Sequence, residues 1–172
     1  MTKRILTSVG VICLVLFASI VIKAAIFDIP PTGFIAEDMS NDFQISWGGW
    51  GEYVYRVSGA SEYMAVAPVT LPDSYLIRSF RAHFVDNDAT NNASIGLVAH
   101  NKYTGTRATI FMVTTTGSST AVRYGTDYSA PTPAQALTNS GALSWHCFVS
   151  YHGTGEANFK CYGCTIEADP WP

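Results

Sequence analysis

The chain has 172 residues, a formal net charge of −3, and equal shares (13%) of charged and aromatic residues. Disordered chains are rich in charge and poor in aromatics, so this composition describes a folded protein, long enough for one domain with a real core. No basic excess and no Lys/Arg cluster is present, which excludes the usual electrostatic footprint of a nucleic-acid binder.

Taken in chain order, the first 25 residues stand apart. Lys3 and Arg4 precede an uncharged apolar run from Ile5 to Ile22, and Lys23, Ala24 and Ala25 follow. This pattern predicts a signal peptide over residues 1–25, cleaved where the apolar run stops. The run is also long enough to cross a bilayer, so an uncleaved anchor is the rival, and the only reading in which the chain contacts a membrane. Either way residues 26–172 form a single exported domain, secreted or at the cell surface.

Residues rich in Val, Ile, Thr, Tyr and Phe then alternate with Gly, Pro, Asn, Asp and Ser clusters. The first predicted strands are Phe43–Trp47 and Glu52–Ser58. Around their junction "SWGGWGEYVY" gathers Trp47, Trp50, Tyr53 and Tyr55 among glycines. Exposed aromatic rings on a β-sandwich stack on sugars. The competing reading is that they pack the first strands, because tryptophan brings a large buried area.

Tyr63–Thr70 and Leu76–Asp86 come next. In "LIRSFRAHFVD", Phe80, Ala82 and Phe84 point one way and Arg81 and His83 the other, the period of a half-buried strand. The strand runs into "DNDATNN", where Asp86, Asp88 and Asn91 offer alternating oxygens of the kind that hold Ca²⁺. An EF-hand's glycine and closing glutamate are missing. Asp and Asn also collect in turns, because they hydrogen-bond their own backbone, so a hairpin turn is the competing expectation. Asn92-Ala93-Ser94 is a glycosylation sequon.

Ala93–Asn101, Arg107–Thr115 and Thr120–Tyr128 are predicted strands. They are followed by the Pro/Thr/Ala-rich surface loop Ser129–Ser140, in which Pro133–Leu137 is the one candidate helical turn. The last predicted strands are Leu143–His152 and Asn158–Ala168. Trp145, Cys147, Val149 and Tyr151 share one face of the former, and His146, Phe148, Ser150 and His152 the other. His146 and His152 are roughly 20 Å apart along the strand and cannot chelate one metal together.

If these two strands form a hairpin and Gly163 marks a bulge, Cys164 comes beside Cys147. In an exported protein that pairing predicts a Cys147–Cys164 disulfide, with Cys161 a buried free thiol; Cys147–Cys161 is the rival. The pair Cys161-x-x-Cys164 sits inside a strand pattern, away from the helix N-terminus that a thioredoxin-like site requires.

Nine short strands without crossover helices predict an all-β antiparallel sandwich, jelly-roll-like, after the export segment. Period-two alternation predicts that Phe80, Ala82, Phe84, Ile95, Leu97, Val149 and Ile166 face one another in its core.

Three stretches carry a resemblance: "IPPTGFIAED" (Ile29–Asp38), "VAPVTLPDSYLIRSFRAHFVDNDAT" (Val66–Thr90) and "FKCYGCTIEAD" (Phe159–Asp169). In order and spacing they resemble a group of secreted bacterial β-rich, single-domain proteins whose pattern reads "APV-LPDGA", a strand, "DND", and a closing "LRLYGVRIEY". Ser74 stands where that pattern has glycine, and the cysteines stand where it has aliphatic residues. The resemblance implies one jelly-roll-like domain. It brings no catalytic residues and no cofactor.

No nucleophile elbow, HExxH, P-loop or Rossmann pattern is present. The leading expectation is therefore a non-catalytic exported module with a surface, matrix or self-assembly role. The alternative is a glycan-binding module using Trp47, Trp50, Tyr53 and Tyr55, and an enzyme is the remote one. Self-association and glycans are the partners these readings allow.

Overall fold

The computed structural model describes residues 24–36, 42–48, 51–57, 64–129, 138 and 141–171. They form β1 (Ala25–Ile29), a 3₁₀ turn (Pro31–Gly33), β2 (Ile35–Ala36), β3 (Phe43–Gly48), β4 (Gly51–Arg56), β5 (Met64–Val69), β6 (Tyr75–Asp86), β7 (Ala93–Asn101), β8 (Arg107–Thr114), β9 (Ser119–Asp127), β10 (Leu143–Tyr151) and β11 (Phe159–Pro170). The export segment, apart from Ala24 and Ala25, and the helical turn expected at Pro133–Leu137 lie outside the described residues. Among the described residues, no helix is long and apolar enough to cross a membrane.

Two antiparallel sheets face each other. One has the order β3-β4-β11-β6-β9, with β1 also paired to β11; the other has the order β2-β5-β10-β7-β8. The expected sandwich is therefore present, with eleven strands among the described residues rather than nine. The two additions, β1 and β2, are short. β2 has two residues, too few to display a period, and β1 abuts the apolar run that conceals its own alternation.

Between β4 and β11 the chain changes sheets at nearly every connection, since β5, β7, β8 and β10 belong to one sheet and β6, β9 and β11 to the other. Two expectations change with this topology. β10 and β11 are not a hairpin, and the Asp86–Asn92 stretch is not a hairpin turn. Each of these two connections carries the chain from one sheet across to the other. Tyr151 and Phe159 do meet, but as rings stacked across the sandwich, 4.8 Å between centroids.

Phe80, Ala82, Phe84, Ile95, Leu97, Val149 and Ile166 are all buried in one cluster drawn from both sheets. Fully burying each large apolar side chain of this set contributes about 1.5–3 kcal/mol. His146 and Ser150 sit on the outer side of β10, opposite the buried Trp145, Cys147, Val149 and Tyr151, so the face assignment holds.

The bulge expected at Gly163 is present: the β11–β6 register shifts between Cys161 and Cys164. Gly163 has φ +105°, and a Cβ there would stand 2.4 Å from the carbonyl oxygen of Ile29. The bulge lies where the edge of β11 changes partners. Cys161 pairs with Val54 of β4, whereas Cys164 pairs with Ile29 of β1. Only the extra residue lets Cys161 and Cys164, three apart, both point inward.

Ser74 shows why glycine suits its position. Its φ is +63°, and it is the only positive-φ residue other than glycine among the described residues. Its backbone is held there, since its N–H donates to Thr138 O and its carbonyl accepts from Trp171 N. Left-handed backbone costs a residue with a Cβ about 1–2 kcal/mol, offset in part by the greater unfolded-state entropy of glycine. Ser74→Gly is expected to stabilise the protein by about 0.5–1 kcal/mol, read from urea unfolding midpoints.

Candidate functional site

The acidic stretch is a structural device. Asp88 Oδ1 accepts from the N–H groups of Thr90 (2.7 Å) and Asn91 (3.1 Å), and Oδ2 accepts from Asn91 Nδ2 (2.9 Å) and the Tyr151 hydroxyl (2.7 Å). Asp86 is fully buried. Its Oδ1 accepts from Asp88 N–H, and its Oδ2 has no hydrogen-bond partner among the described residues. The oxygens of Asp88 are thus met by donors, and Asn91 presents its amide nitrogen, not the oxygen that Ca²⁺ coordination would use. Among the described residues no group of three or more His, Cys, Asp or Glu side chains is arranged to hold a metal ion.

The Asp88–Tyr151 bond joins the β6–β7 crossing to the end of β10. The Tyr151 hydroxyl first, then the Asn91 amide and the Thr90 N–H, hold the Asp88 carboxyl well below the usual carboxylate range. Burial, then Asp88 itself, push the Tyr151 phenol above its ordinary value, so it remains a neutral donor. The buried Arg56 guanidinium closes the same end by donating to the carbonyls of Tyr151, His152 and Gly153.

The expected Cys147–Cys164 disulfide is corrected by the structure: Cys147, Cys161 and Cys164 are buried free thiols. The side chains do meet, with the Cys164 thiol in hydrogen-bonding reach of both Cys147 and Cys161. They meet across the sandwich rather than along a hairpin. Packed sheets stand about 10 Å apart, whereas a disulfide requires Cα atoms within roughly 4.4–6.8 Å. Burial first, then the two neighbouring sulfurs, raise the Cys164 thiol well above its ordinary value.

The outer face of the six-stranded sheet carries rings. Tyr53 lies against Tyr55 (6.1 Å between centroids) and Tyr162 (5.5 Å). Further across, His83 of β6 lies 6.2 Å from Tyr124 of β9. Lys160 Nζ sits 4.4 Å over the Tyr53 ring, and Arg81 stands 5.1 Å over Tyr124. Tyr53 is buried, bonded to Glu156 and braced by its neighbours; Tyr55 and Tyr162 are half-buried, and Tyr124 is 67% exposed. A hollow of about 490 Å³ opens beside this row, lined by Val85, Val122, Lys160 and Tyr162 among others.

Of the aromatic residues singled out in the sequence, Tyr53 and Tyr55 stand in this row. Trp47 lies in β3 with its backbone opposite Glu52. Its side chain, and all of Trp50, lie outside the described residues. Tyr162, Tyr124 and His83 belong to the row without any signal in the linear sequence. They come from three different strands, and only strand order brings them together.

The outer face of the other sheet is a groove of about 400 Å³. Met64 and Val66 of β5, Phe148 of β10 and Val98 of β7 form its apolar side. Phe148 pairs with Gly96 and its ring lies directly over it, where a Cβ would come within 2.6 Å. His146, His100, Arg107 and Thr109 bring polar groups to the same groove.

No family model matches the chain, and no curated protein matches it. Solved structures do. A xylan-binding module, CBM15, is 11% identical, with a TM-score of 0.53 over 87% of this chain and 99% of that one. The CBM22-1–GH10 modules of a Clostridium thermocellum endo-1,4-β-D-xylanase, complexed with xylohexaose, are 12% identical; the TM-score is 0.53 over 85% of this chain and 28% of that one. The C-terminal CBM6 of LamC, a marine laminarinase from Zobellia galactanivorans, is 9% identical with a TM-score of 0.50, over 83% and 98% of the two chains. The chain thus has the β-sandwich fold of carbohydrate-binding modules.

Two outcomes follow from the end of the sandwich and its core. Because the folded-state pKa of Asp88 is depressed, its stabilisation is present above about pH 4 and is lost as pH falls through the folded value. Tyr151→Phe is expected to cost about 1–2 kcal/mol at neutral pH, and the gap to the parent protein should narrow below about pH 3. Urea unfolding at both pH values measures this, and a constant gap would show that the bond does not favour the carboxylate. Separately, Cys147, Cys161 and Cys164 should resist alkylation in the folded protein and react once it is unfolded, as peptide mass mapping would show.

Proposed function

We propose that this chain is an exported, non-catalytic carbohydrate-binding module whose glycan lies along the tyrosine row. The row is the observation that carries the reading. Its rings belong to β4, β11, β6 and β9, which are consecutive in the sheet, so it extends about 14 Å, the reach of a short oligosaccharide. The C–H faces of pyranose rings are apolar and pack on aromatic faces. The neighbouring Lys160, Arg81 and Thr126 can hydrogen-bond the hydroxyls at the ring edges.

The fold likeness to xylan-binding modules supports the reading and reverses the order of the expectations drawn from sequence: glycan binding now stands ahead of a matrix or self-assembly role. The non-catalytic part rests on how the carboxylates are used. Asp86 and Asp88 build the crossing between sheets, and Asp127 accepts from Met112 N–H and Ser129. The signal-like start of the sequence supports export, where polysaccharides are met.

Affinity electrophoresis and calorimetry with xylan, xylohexaose and a panel of other polysaccharides test the reading. At least one neutral glycan should bind. Tyr162→Ala and Tyr124→Ala, both at partly exposed rings, should each weaken binding about tenfold while leaving the circular dichroism spectrum unchanged. Absence of binding at millimolar glycan, or binding that ignores both substitutions, would overturn it.

A further inference from the structure

We propose that Arg81 sets the substrate class of the tyrosine row: a neutral glycan chain that carries isolated carboxylates, bound with one carboxylate on the Arg81 guanidinium. The inference rests on the row as the glycan site and adds what stands at its β9 end.

The strand register puts Arg81 there. Arg81 of β6 pairs with Thr126 of β9, and His83, two residues on and on the same face, pairs with Tyr124. Arg81 is exposed and leans toward β9. Its Nε donates to Thr126 Oγ1 at 3.2 Å, and its guanidinium carbon lies 5.1 Å from the centroid of the Tyr124 ring. A hydroxyl and a ring therefore hold the planar group. These contacts use the Nε–H and one face of the guanidinium, and no acceptor meets its Nη groups among the described residues. The Nη groups form the fork that matches a carboxylate. Thr126 Oγ1 accepts from Arg81, which leaves its own O–H to donate to the same ligand.

The other cations of this sheet are already answered. Lys160 Nζ lies 3.4 Å from Glu156 Oε1, and Arg78 Nε lies 2.7 Å from Asp169 Oδ2. Arg123 donates to the carbonyls of Asp86, Thr116 and Gly117. The partners of Arg81 carry no charge. The acids around it are turned to other donors. Asp28 of β1 pairs with Thr165, which pairs with Arg81 in turn, so it stands two strands away, about 10 Å, on the side opposite Tyr124. It accepts from Thr165 Oγ1 at 3.0 Å. Glu167, on the diagonal from Arg81, accepts from Ser79 Oγ at 3.1 Å.

This layout favours acids that are sparse along the chain. Tyr162 of β11 and Tyr124 of β9 are two strands apart, about 10 Å, the span of roughly two sugar rings. A glycan stacked along the row sets one ring at Tyr124, where a carboxylate on a branch from that ring meets Arg81. The next ring falls at Tyr162, beside the balanced Lys160–Glu156 pair. A chain with an acid on every sugar would bring like charges toward Glu156 and Glu167 as well.

Calorimetry of the folded chain tests this with a xylan bearing isolated glucuronate branches and with the same polymer after carboxyl reduction. The acidic polymer should bind about tenfold more tightly at roughly 20 mM salt, and the difference should shrink at roughly 500 mM. Polygalacturonate, acidic at every sugar, should bind more weakly than the branched polymer. Arg81→Gln, at an exposed side chain, should leave the circular dichroism spectrum unchanged and bring the acidic and reduced polymers to equal affinity. Tyr162→Ala should weaken both polymers and keep their ratio. Equal binding of the two polymers, a preference that survives in Arg81→Gln or ignores salt, tighter binding of polygalacturonate, or no binding of either xylan would each overturn the proposal. The tyrosine row itself stands or falls with the neutral glycan panel, so a row that binds neutral glycans without any preference for the acidic polymer marks failure of this inference alone.

Discussion

Two connections carry the chain from one sheet to the other at the same end of the sandwich, from β6 to β7 and from β10 to β11. The Asp88–Tyr151 hydrogen bond is where they are tied together. A crossing of this kind exposes backbone polar groups at the edge of an apolar core, and each must find a partner. Asp88 gathers the loose N–H groups of its own turn, and Arg56 covers the carbonyls at the end of β10. Asn87 N–H donates to Asn158 O at 2.7 Å, which binds the two crossings through backbone as well. The long strands β6 and β11 pair along most of their length, and their register is anchored at this end. The stretch that offers Ca²⁺ ligands in the sequence thus ties the two crossings together at this end of the sandwich.

The spacing between sheets explains the cysteines by the same logic. Cys147 belongs to one sheet and Cys161 and Cys164 to the other, so the three thiols meet in the core between the sheets rather than along a hairpin. The thiols there act as small apolar groups, as buried free cysteine generally does. Gly163 makes the arrangement possible by adding the residue that turns Cys164 inward after Cys161, and by letting the Ile29 carbonyl approach the strand. A cysteine cluster and a bulge are thus one feature, set by the place where β1 replaces β4 along the edge of β11.

Much of this is legible one strand at a time. Period-two alternation in "LIRSFRAHFVD" and "SWHCFVSYH" identifies the inward faces of β6 and β10, because an antiparallel strand between core and solvent has only two sides. The strand Ala93–Asn101 is legible to its ends because turn residues bound it on both sides. Pairing is not legible. Two strands joined by a short Gly-rich connection satisfy a hairpin or a sheet crossing equally well, and β10 and β11 take the second course. That single difference removes the disulfide. The candidate sites meet the same limit: Tyr53 and Tyr55 are neighbours in sequence and stand out together, whereas Tyr162, His83 and Tyr124 reach them only through the order β4-β11-β6-β9. The trio of His100, Arg107 and His146 is likewise assembled only by the order β10-β7-β8.

A sandwich that buries alternate residues leaves every strand with an outward set under no obligation to the core, and here the two outward sets differ in kind. On one sheet, tyrosines face outward next to cations that lie over their rings, an arrangement in which the aromatic faces already answer the charge. On the other, three nitrogen bases share a groove whose remaining described side chains are almost all apolar. His100 stands directly across a strand pair from Arg107, with His146 on the diagonal. The first face sets rings and cations together, whereas the second sets an apolar floor beside His100, Arg107 and His146. The same sheet order that hides both sites in the linear sequence therefore gives them separate chemistries.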